Sequence, residues 1–385
     1  MTDRQQATTA RRLTTRELAA CPPTVAVPSY DRQALTPAIL HFGVGGFHRA
    51  HQAVYLDEIA ERNVSTAWGE YGVGLHHRAM KEALAPQDCL YTVVQRNAEE
   101  DKARVVGAMG RYLYAPEETE PVLAALVDDQ TRLVTLTITG TGYKVDPITG
   151  AFNAEDPEIN ADLDDPTNPD TVFGYLVEAL DRRRKAGGTP FTVLSCDNMQ
   201  DNGAAARTAV VSFARLRDEG LGCWIDANVA FPSSMVDRIT PATTPADREF
   251  VARTLGLDDQ WPVVTEPFSQ WIVQDTFCNG RPPLEEVGVQ LVTDVTPYER
   301  MKTRLLNASH CALGYLGYLA GHRRTDEVMA DPLFRRYITR LMDEEISPLL
   351  PAVPGIDLAA YKQTLVQRFA NPKIGDQLSR LCGRG

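Results

Sequence analysis

The sequence predicts an α/β protein, in which a domain built on a parallel sheet is followed by a mostly α-helical C-terminal domain. Continuous apolar runs at residues 38–42, 133–139 and 190–195 are typical of strands buried on both faces of a parallel sheet. Helical segments such as residues 171–186 stand between these runs, as expected for an α/β fold. Beyond residue 296 the chain is rich in leucine, and the predicted elements are helices.

Composition excludes several classes of protein. The chain has 385 residues and a net charge of −12, which argues against a nucleic-acid partner because phosphate binding draws on basic surface. Its 7 cysteines are scattered without a CxxC pair, which predicts a reduced cytoplasmic protein without a zinc site. No long uninterrupted apolar window and no apolar run after the N-terminal arginines is present, so neither a membrane span nor a signal peptide is predicted.

A glycine-rich turn follows the first apolar run. Residues 43–47 read GVGGF, and a helix is predicted over residues 50–62. A strand, a glycine turn and a helix in this order form the context in which the pyrophosphate of a dinucleotide rests on a helix N-terminus. Residues 37–228 are therefore predicted to be a Rossmann-type domain that binds NAD or NADP.

The candidate cofactor contacts lie in this turn and at the start of its helix: Gly43, Gly45, Gly46, Phe47 and Arg49. Arg49 would add a charge-assisted contact to a phosphate. His48 stands where a complete GxGxxG motif has its third glycine, so the helix is expected to sit differently against the strand.

Cofactor choice depends on the end of the second predicted strand, residues 67–73. A carboxylate there would hold the ribose of NAD, and Glu70 is the nearby acid, although it comes early. The following residues, His76, His77 and Arg78, form a basic cluster that would tolerate the 2′-phosphate of NADP, or else a solvated loop. The sequence leaves the choice between NAD and NADP open.

The rest of the chain is divided around this domain. Residues 1–36, polar and punctuated by proline, are predicted to be an N-terminal arm. Residues 229–295 are predicted to connect the two domains, and residues 296–385 to form a helical substrate and catalytic domain.

The second domain begins with a long predicted helix over residues 297–322. Thr296 suits the N-cap, Pro297 suits the first turn, and Glu299 lies three residues past the cap, completing a predicted capping box.

This helix carries polar residues among its leucines. At about 100° per residue, Lys302, Asn307 and His310 fall within an arc of roughly 140°, which also contains Glu299. Because unpartnered polar groups are costly to bury, this side of the helix is interpreted as an active-site face.

Two further polar positions follow predicted strands. Asn198 could donate its amide N–H to a substrate oxygen, or it could cap the next helix together with Asp197. Capping is the favoured interpretation for Asn202. Asp237 and Arg238 are adjacent, and the spacing favours a buried structural pair.

Three kinds of alcohol chemistry can be compared with these residues. Zinc-dependent dehydrogenases need a Cys/His/Glu ligand cluster, and no such spacing is present. Tyr298 and Lys302 match the Tyr-x-x-x-Lys string of short-chain dehydrogenases, but the glycine turn and the chain length do not fit that class. The third kind is metal-free and uses a lysine base. Lys302 would be the base, Asn198 and Asn307 would donate to the alkoxide, and His310 would orient a hydroxyl.

Four segments carry a resemblance to a known family: HFGVGGFHRAHQAVY (41–55), SCDNMQDNG (195–203), VAFPSSMVDRITP (229–241) and KTRLLNASHCALGYLGYLAGH (302–322). The chain resembles the polyol-specific long-chain dehydrogenases, and the last two segments are specific to that family. The resemblance implies metal-independent, NAD(P)-dependent interconversion of D-mannitol and D-fructose by a monomer, with NAD as the expected cofactor.

The resemblance also implies roles for individual residues. Lys302 would be the general base, Asn198 and Asn307 the oxyanion site, and His310 a substrate contact. Glu299 would gate a proton path to the lysine. Arg380 would contact a substrate hydroxyl, and Asp237 would form part of the polar wall of the site.

The chain departs from the family's pattern at its C-terminus, near Leu75 and His76, and at Gly140, where the family commonly has Glu. The family's proteins continue past residues 371–385 with further helices and another substrate-contacting lysine, which predicts a truncated product or a more open pocket. The carboxylates that favour NAD would fall near Leu75 and His76, and neither residue is acidic.

Several rival functions remain within and outside the family. Gln200 favours a neutral polyol over the fructuronate and tagaturonate reductases, which usually have proline there. A D-arabinitol or sorbitol dehydrogenase is an open alternative. A non-catalytic nucleotide-binding sensor is the alternative from a different class, and the intact set of Lys302, Asn307 and His310 argues against it.

Overall fold

The computed structural model of the chain describes residues 10–146 and 148–383. Residues 1–9 of the predicted arm and residues 384–385 of the predicted C-terminal domain lie outside the described residues. The described strands are, in chain order, β1 (Arg11–Arg12), β2 (Val25–Ala26), β3 (Pro37–Phe42), β4 (Gly69–Gly74), β5 (Tyr91–Arg96), β6 (Asp101–Val106), β7 (Met109–Tyr114), β8 (Leu133–Leu136), β9 (Thr192–Ser195), β10 (Ser234–Asp237), β11 (Leu257–Asp258), β12 (Val263–Thr265), β13 (Gln270–Gln274) and β14 (Gln290–Val292).

Helices connect these strands and make up most of the chain after β14. The described α-helices are α1 (Gly46–Ala50), α2 (Gln52–Glu61), α3 (Arg78–Leu84), α4 (Thr119–Val127), α5 (Pro157–Asp164), α6 (Val172–Ala186), α7 (Asn202–Arg217), α8 (Glu219–Asn228), α9 (Pro245–Phe250), α10 (Thr296–Lys302), α11 (Ala308–Leu319), α12 (Thr325–Ala330), α13 (Pro332–Arg340), α14 (Leu358–Phe369) and α15 (Leu378–Cys382). Three π-helical segments are Val251–Leu255, Thr303–Asn307 and Leu341–Ile346.

The central sheet has five parallel strands in the order β7-β4-β3-β8-β9. Numbered by their order along the chain, these strands run 3-2-1-4-5, which is the arrangement of a Rossmann domain. The strand order reverses between β3 and β8, and ligands bind in the crevice outside the carboxyl ends of the strands at such a point. The predicted fold class is confirmed.

Apolar side chains explain why the strands are buried. Leu40 and Phe42 of β3 and Val134 of β8 are fully buried, and they share one core with Phe173 of α6 and Val210 of α7. Burying a large apolar side chain of this kind stabilises the fold by about 1.5–3 kcal/mol.

The described residues also form three smaller sheets. Two strands of the predicted arm take part in them: β1 pairs with β11, and β2 is the edge strand in the order β12-β5-β6-β2. The third sheet has the order β10-β13-β14.

The C-terminal helices pack against this third sheet. Their core contains Leu305, Leu313 and Leu365, and it also contains Met235 of β10 and Ile272 of β13. The helical layer is thereby seated beside the end of β10, close to the carboxyl end of β9. Among the described residues, no helix combines enough length with enough apolar character to span a bilayer.

Two predicted helix starts were wrong. The capping box at Thr296 does not form, since Thr296 is already helical and its N–H donates to Asp294 Oδ1 at 2.9 Å. The helix after the glycine turn starts at Gly46 rather than at residue 50, and it is interrupted at His51, whose φ is −120° and ψ −89°.

Candidate active site

A cavity of about 1010 Å³ opens at the carboxyl ends of β3, β4 and β8. Its walls include the turn at residues 43–46, residues 74–77 after β4, and residues 137–139 and 141–142 after β8. This is the crevice where the strand order reverses, and its volume is at the upper end of the ~300–1,000 Å³ common for ligand pockets.

Gly43 makes the tight turn out of β3. Its φ is +95°, and a Cβ at this position would lie 2.1 Å from the carbonyl oxygen of Thr137. The Thr137 hydroxyl in turn donates to the Gly43 carbonyl at 2.8 Å. Only glycine combines this backbone conformation with so close an approach of the neighbouring loop.

Gly45 and Gly46 are glycine for a different reason. A Cβ on either residue would meet no other atom closer than 3.7 Å, so packing does not require glycine here. Both residues line the cavity and leave main chain bare on its wall. These residues fit the close backbone approach that a dinucleotide pyrophosphate needs.

The other two predicted cofactor contacts lie elsewhere. Arg49 is fully buried, and its guanidinium donates to the carbonyls of Gly45 and Trp261. In the structure, the Arg49 guanidinium therefore bonds to main-chain carbonyls, instead of making the predicted contact to a phosphate. Phe47 is half-buried, stacks on His51 with ring centroids 4.9 Å apart, and is not among the residues that line the cavity.

His48 takes the place of the third glycine by joining a buried polar group. Its Nε2 lies 3.0 Å from Glu70 Oε2, and its ring stacks on His41 at a centroid distance of 3.4 Å. Glu70 is therefore too deeply buried to hold a ribose, which corrects the suggested role for this acid. Burial raises the pKa of Glu70 to about 7.

Leu75, His76 and His77 line the cavity after β4, where the cofactor's adenosine ribose is expected. Both histidines are exposed. Arg78 lies outside this wall and pairs with Glu82 at 3.1 Å and with Glu117. The wall is thus formed by an apolar residue and two imidazoles.

Lys302 is held at the junction of the two domains. Its side chain is buried, with 6% of the residue exposed, and Nζ donates to Asn198 Oδ1 at 2.5 Å and to the Val236 carbonyl at 2.6 Å. Burial lowers the pKa of Lys302, against the opposing attraction of Asp237. The neutral amine needed in a general base is thereby favoured.

Asn198, which follows a buried strand, is brought to Lys302. Its oxygen accepts from the lysine, so the amide nitrogen is the group able to donate to a substrate oxygen, and the residue is exposed. The preceding residue, Asp197, accepts from the N–H groups of Ile138 and Thr139 at 3.0 and 2.7 Å. These bonds attach the cavity wall after β8 to the strand end that carries Asn198.

The π-helical segment Thr303–Asn307 changes the geometry of the polar face. In an α-helix, residues five apart differ by ~140° about the axis, whereas i→i+5 bonding places them about one turn apart. Asn307 therefore lies approximately one turn above Lys302 instead of at the far edge of the predicted arc.

His310 follows on α11 and is half-buried. Its ring lies 4.9 Å from the Phe369 ring, and among the described residues its Nε2 has no hydrogen-bond partner. Burial lowers the pKa of His310 to about 4, so the imidazole is neutral near pH 7. A neutral imidazole with a free nitrogen can exchange a hydrogen bond with a hydroxyl.

Glu299 precedes Lys302 by one turn. Its carboxylate accepts from the Asp201 N–H at 3.3 Å, and burial raises the pKa of Glu299 to about 7. This carboxyl can take up or release a proton near neutral pH, while its implied gating role stays a prediction.

Asp237 does not pair with its neighbour Arg238, which corrects the predicted structural pair. Both Asp237 oxygens accept from Arg368 of α14, at 2.8 and 2.9 Å. Burial opposes ionisation, but the guanidinium holds the pKa of Asp237 below its usual range. Arg238 instead donates to the carbonyls of Ala50 and Glu266.

Two other predicted residues have partners of their own. Arg380 of α15 pairs with Asp376, its Nε lying 2.8 Å from Oδ1, and its implied contact to a substrate hydroxyl stays a prediction. Asn202 does not cap α7, because its side chain links the Asp197 carbonyl to the main chain of Ser234.

Comparisons with known proteins agree with this arrangement. A family model described as the mannitol dehydrogenase Rossmann domain matches residues 37–286, and one described as the mannitol dehydrogenase C-terminal domain matches residues 294–385. The chain belongs to the mannitol dehydrogenase family. The predicted family and the prediction of an enzyme, a dehydrogenase, are thereby confirmed.

Relatives in this family cover nearly all of the chain. Mannitol 2-dehydrogenase of Aspergillus terreus is 49% identical over 367 residues, covering 93% of this chain and 73% of its own. Mannitol dehydrogenase 2 of Saccharomyces cerevisiae is 46% identical over 381 residues, covering 98% and 76%.

Two solved structures match the fold throughout. Mannitol 2-dehydrogenase of Pseudomonas fluorescens, in a ternary complex with NAD and D-mannitol, has a TM-score of 0.92 and 46% identity, covering 97% of this chain and 76% of its own. A substrate-free D-sorbitol dehydrogenase has a TM-score of 0.91 and 42% identity, covering 96% and 77%.

Within this mannitol dehydrogenase fold, Tyr298 has a structural role, and its hydroxyl does not bond to the Lys302 amine. Its hydroxyl donates to the Pro354 carbonyl at 2.9 Å and the residue is buried in the helical core. The described residues also hold no group of three or more His, Cys, Asp or Glu side chains placed to bind a metal ion.

Sequence reasoning missed Arg368 and Glu266. Arg368 lies 131 residues after Asp237, inside a predicted helix whose sequence gives no sign of a functional site. The available signal was indirect: Asp237 ends a buried strand, and a buried carboxylate needs a cation from somewhere in the fold.

Proposed function

We propose that this chain is a metal-independent, NAD-dependent mannitol 2-dehydrogenase that interconverts D-mannitol and D-fructose. The observation that carries the proposal is Lys302, a buried lysine with a lowered pKa, which donates to Asn198 at the end of the nucleotide-binding sheet. The similarity to mannitol 2-dehydrogenases at 46–49% identity supports the choice of substrate.

NAD would occupy the cavity with its pyrophosphate against the main chain of Gly43, Gly45 and Gly46. Leu75 and His76 would lie beside the adenosine ribose. When bound, the cofactor supplies the hydride acceptor for polyol oxidation and the hydride donor for ketose reduction.

The side chains of this chain would handle the proton. Neutral Lys302 accepts the proton of the reacting hydroxyl as the hydride leaves the same carbon, so a ketone forms and the lysine becomes an ammonium. The amides of Asn198 and Asn307 donate to the oxygen as negative charge develops. His310 orients the substrate through a hydroxyl, and Asp237 and Arg380 line the polar wall.

Proton release would follow the active-site helix. Glu299, with a pKa of about 7, can receive the proton from Lys302 and pass it to water at neutral pH. Residues 296–385 would thus provide both the substrate wall and the proton path, and a monomer in the cytoplasm is the predicted working form.

A second candidate is oxidation of another polyol. The D-sorbitol dehydrogenase match, at 42% identity, favours D-sorbitol as the rival substrate. D-arabinitol and D-fructuronate complete the set of substrates to compare.

A substrate panel tests the proposed function directly. We expect D-mannitol with NAD to give the highest kcat/KM among D-mannitol, D-sorbitol, D-arabinitol and D-fructuronate, the last assayed as a ketose with reduced cofactor. Activity should survive dialysis against a chelator. A higher kcat/KM for another substrate would assign the enzyme to that substrate. Tight NAD binding without any turnover would favour the alternative of a non-catalytic nucleotide-binding sensor.

The cavity wall after β4 predicts relaxed cofactor choice. With Leu75 and His76 where the carboxylates that favour NAD would fall, we expect measurable turnover with NADP. His76→Asp should lower kcat/KM for NADP by at least about tenfold, because a carboxylate repels the 2′-phosphate, with little loss for NAD. His76→Asn is the matched control, and an equal loss in both variants would show that charge is not the cause.

A further inference from the structure

Arg368 is a buried cation that joins the two halves of the molecule. It donates to both oxygens of Asp237 at 2.8 and 2.9 Å, and to both oxygens of Glu266 at 2.8 and 2.7 Å. Its guanidinium also lies 4.1 Å from the centre of the Phe268 ring. One arginine thus holds two carboxylates in a buried site, a geometry in which bidentate pairs are strong.

Lys302 lies beside the triad that Arg368 forms with the two carboxylates, and in the described structure it bonds to neither carboxylate. Val236 and Asp237 are consecutive residues of β10, and the Val236 carbonyl accepts from Lys302. The Asp237 carboxylate is thus one residue away, yet both its oxygens are bonded to Arg368. The two hydrogen-bond acceptors of Lys302 in the described structure are neutral, the amide oxygen of Asn198 and a main-chain carbonyl.

We propose that Arg368 is a positioning residue for the lysine base: it holds both oxygens of Asp237 and so keeps Lys302 free of a carboxylate partner. This inference rests on the proposed function, in which Lys302 must be neutral to accept a proton. Because Asp237 bonds to Arg368, the lysine amine remains available to the substrate.

The charges that act on Lys302 come from several elements of the described structure. Asp237 and Glu299 favour the ammonium form of Lys302, while burial and Arg368 disfavour it. His51, between α1 and α2, and His310 of α11 are also nearby, and burial lowers the pKa of both, to about 3 and about 4. They are neutral near pH 7, so Asp237, Glu299 and Arg368 set the local charge, together with Glu266, the second carboxylate that Arg368 holds.

The sign of the effect of removing Arg368 follows from these charges. Loss of a cation and release of the Asp237 carboxylate both favour protonated Lys302. The pH above which polyol oxidation becomes efficient should therefore move upward, because the base must lose its proton before it can act.

The test uses a pair of matched variants. Removing Arg368 alone would leave two buried carboxylates facing each other, so the informative variant is the double substitution Arg368→Gln/Glu266→Gln. It removes one charge of each sign, so release of the Asp237 carboxylate is the cause of the shift expected in this variant. Glu266→Gln alone is the control, since it breaks the same triad but leaves the Arg368–Asp237 pair. Thermal unfolding of both reports the structural cost.

The readout is the pH profile of kcat/KM for D-mannitol with saturating NAD. Relative to wild type, the double variant should have its acid-side midpoint raised by about one pH unit or more, and should recover at high pH. The control should keep the wild-type midpoint, whatever its stability. An unshifted midpoint in a folded double variant overturns the proposal.

Arg368→Lys covers the case in which the double variant does not fold. A lysine can hold one Asp237 oxygen instead of two, so its midpoint should lie above the wild-type value by a smaller amount. An unchanged midpoint in this variant also overturns the proposal. Failure of the proposed function is distinguishable, because then the wild-type enzyme itself would not oxidise D-mannitol.

Discussion

Replacing Lys302 by alanine is expected to lower kcat for D-mannitol oxidation by about 10²–10⁴-fold, the usual contribution of a positioned general base. Lys302 is the buried amine that meets Asn198 at the end of β9, and alanine leaves no group there to accept the substrate proton. The glycine turn and the cavity lie outside its contacts, so NAD affinity should change by less than about twofold. Steady-state kinetics and a fluorescence titration with NADH measure the two quantities.

Tyr298→Phe is the matched control on the same helix. The Tyr298 hydroxyl bonds to the Pro354 carbonyl, so its removal should cost some stability but little activity. A large loss of kcat in this variant would favour a tyrosine mechanism. Turnover close to wild type in Lys302→Ala would refute the lysine mechanism.

Gly43→Ala is expected to have the second largest effect, on NAD binding and on folding together. At φ +95° an added methyl would lie 2.1 Å from the Thr137 carbonyl oxygen, so either the turn or the loop after β8 must move. Both line the cavity, and NAD affinity should fall by at least about tenfold, equivalent to 1.4 kcal/mol.

Gly321→Ala isolates the part of this effect that is due to backbone strain. Gly321 has φ +96°, and a methyl group added there would meet no atom within 4 Å, so alanine has the same strain without the clash. Gly43→Ala should lower the free energy of unfolding by about 1–3 kcal/mol more than Gly321→Ala, the usual cost of overpacking. Denaturant titration measures the difference, and equal losses would remove the clash as an explanation.

The sequence predicted the parts of this site that depend on local pattern. Apolar runs located β3, β8 and β9, and the glycine turn placed the cavity at the correct strand end. Asn198 was predicted because polar residues after a buried strand lie at the sheet edge where ligands bind, and the structure places it beside Lys302. These inferences need only neighbours along the chain.

Features that depend on distant contacts were missed or misplaced. An arginine after a glycine turn has the same local pattern whether it faces a phosphate or, like Arg49, lies buried among carbonyls. Asp237 was predicted to pair with Arg238 because the two are adjacent in the sequence, whereas its actual partner, Arg368, lies 131 residues away. The π turn at Thr303–Asn307 was missed because helical periodicity assumes a constant 3.6 residues per turn.

That π turn makes the active-site helix unequally sensitive to changes in its length. Because i→i+5 bonding fits one extra residue into the turn, losing one residue between Lys302 and Asn307 would restore an α-turn and leave Asn307 and His310 on the lysine's side. The same loss between Asn307 and His310, where the helix is α, would rotate His310 by ~100° about the axis. A one-residue deletion is therefore compatible with the site in the first interval and disrupts it in the second.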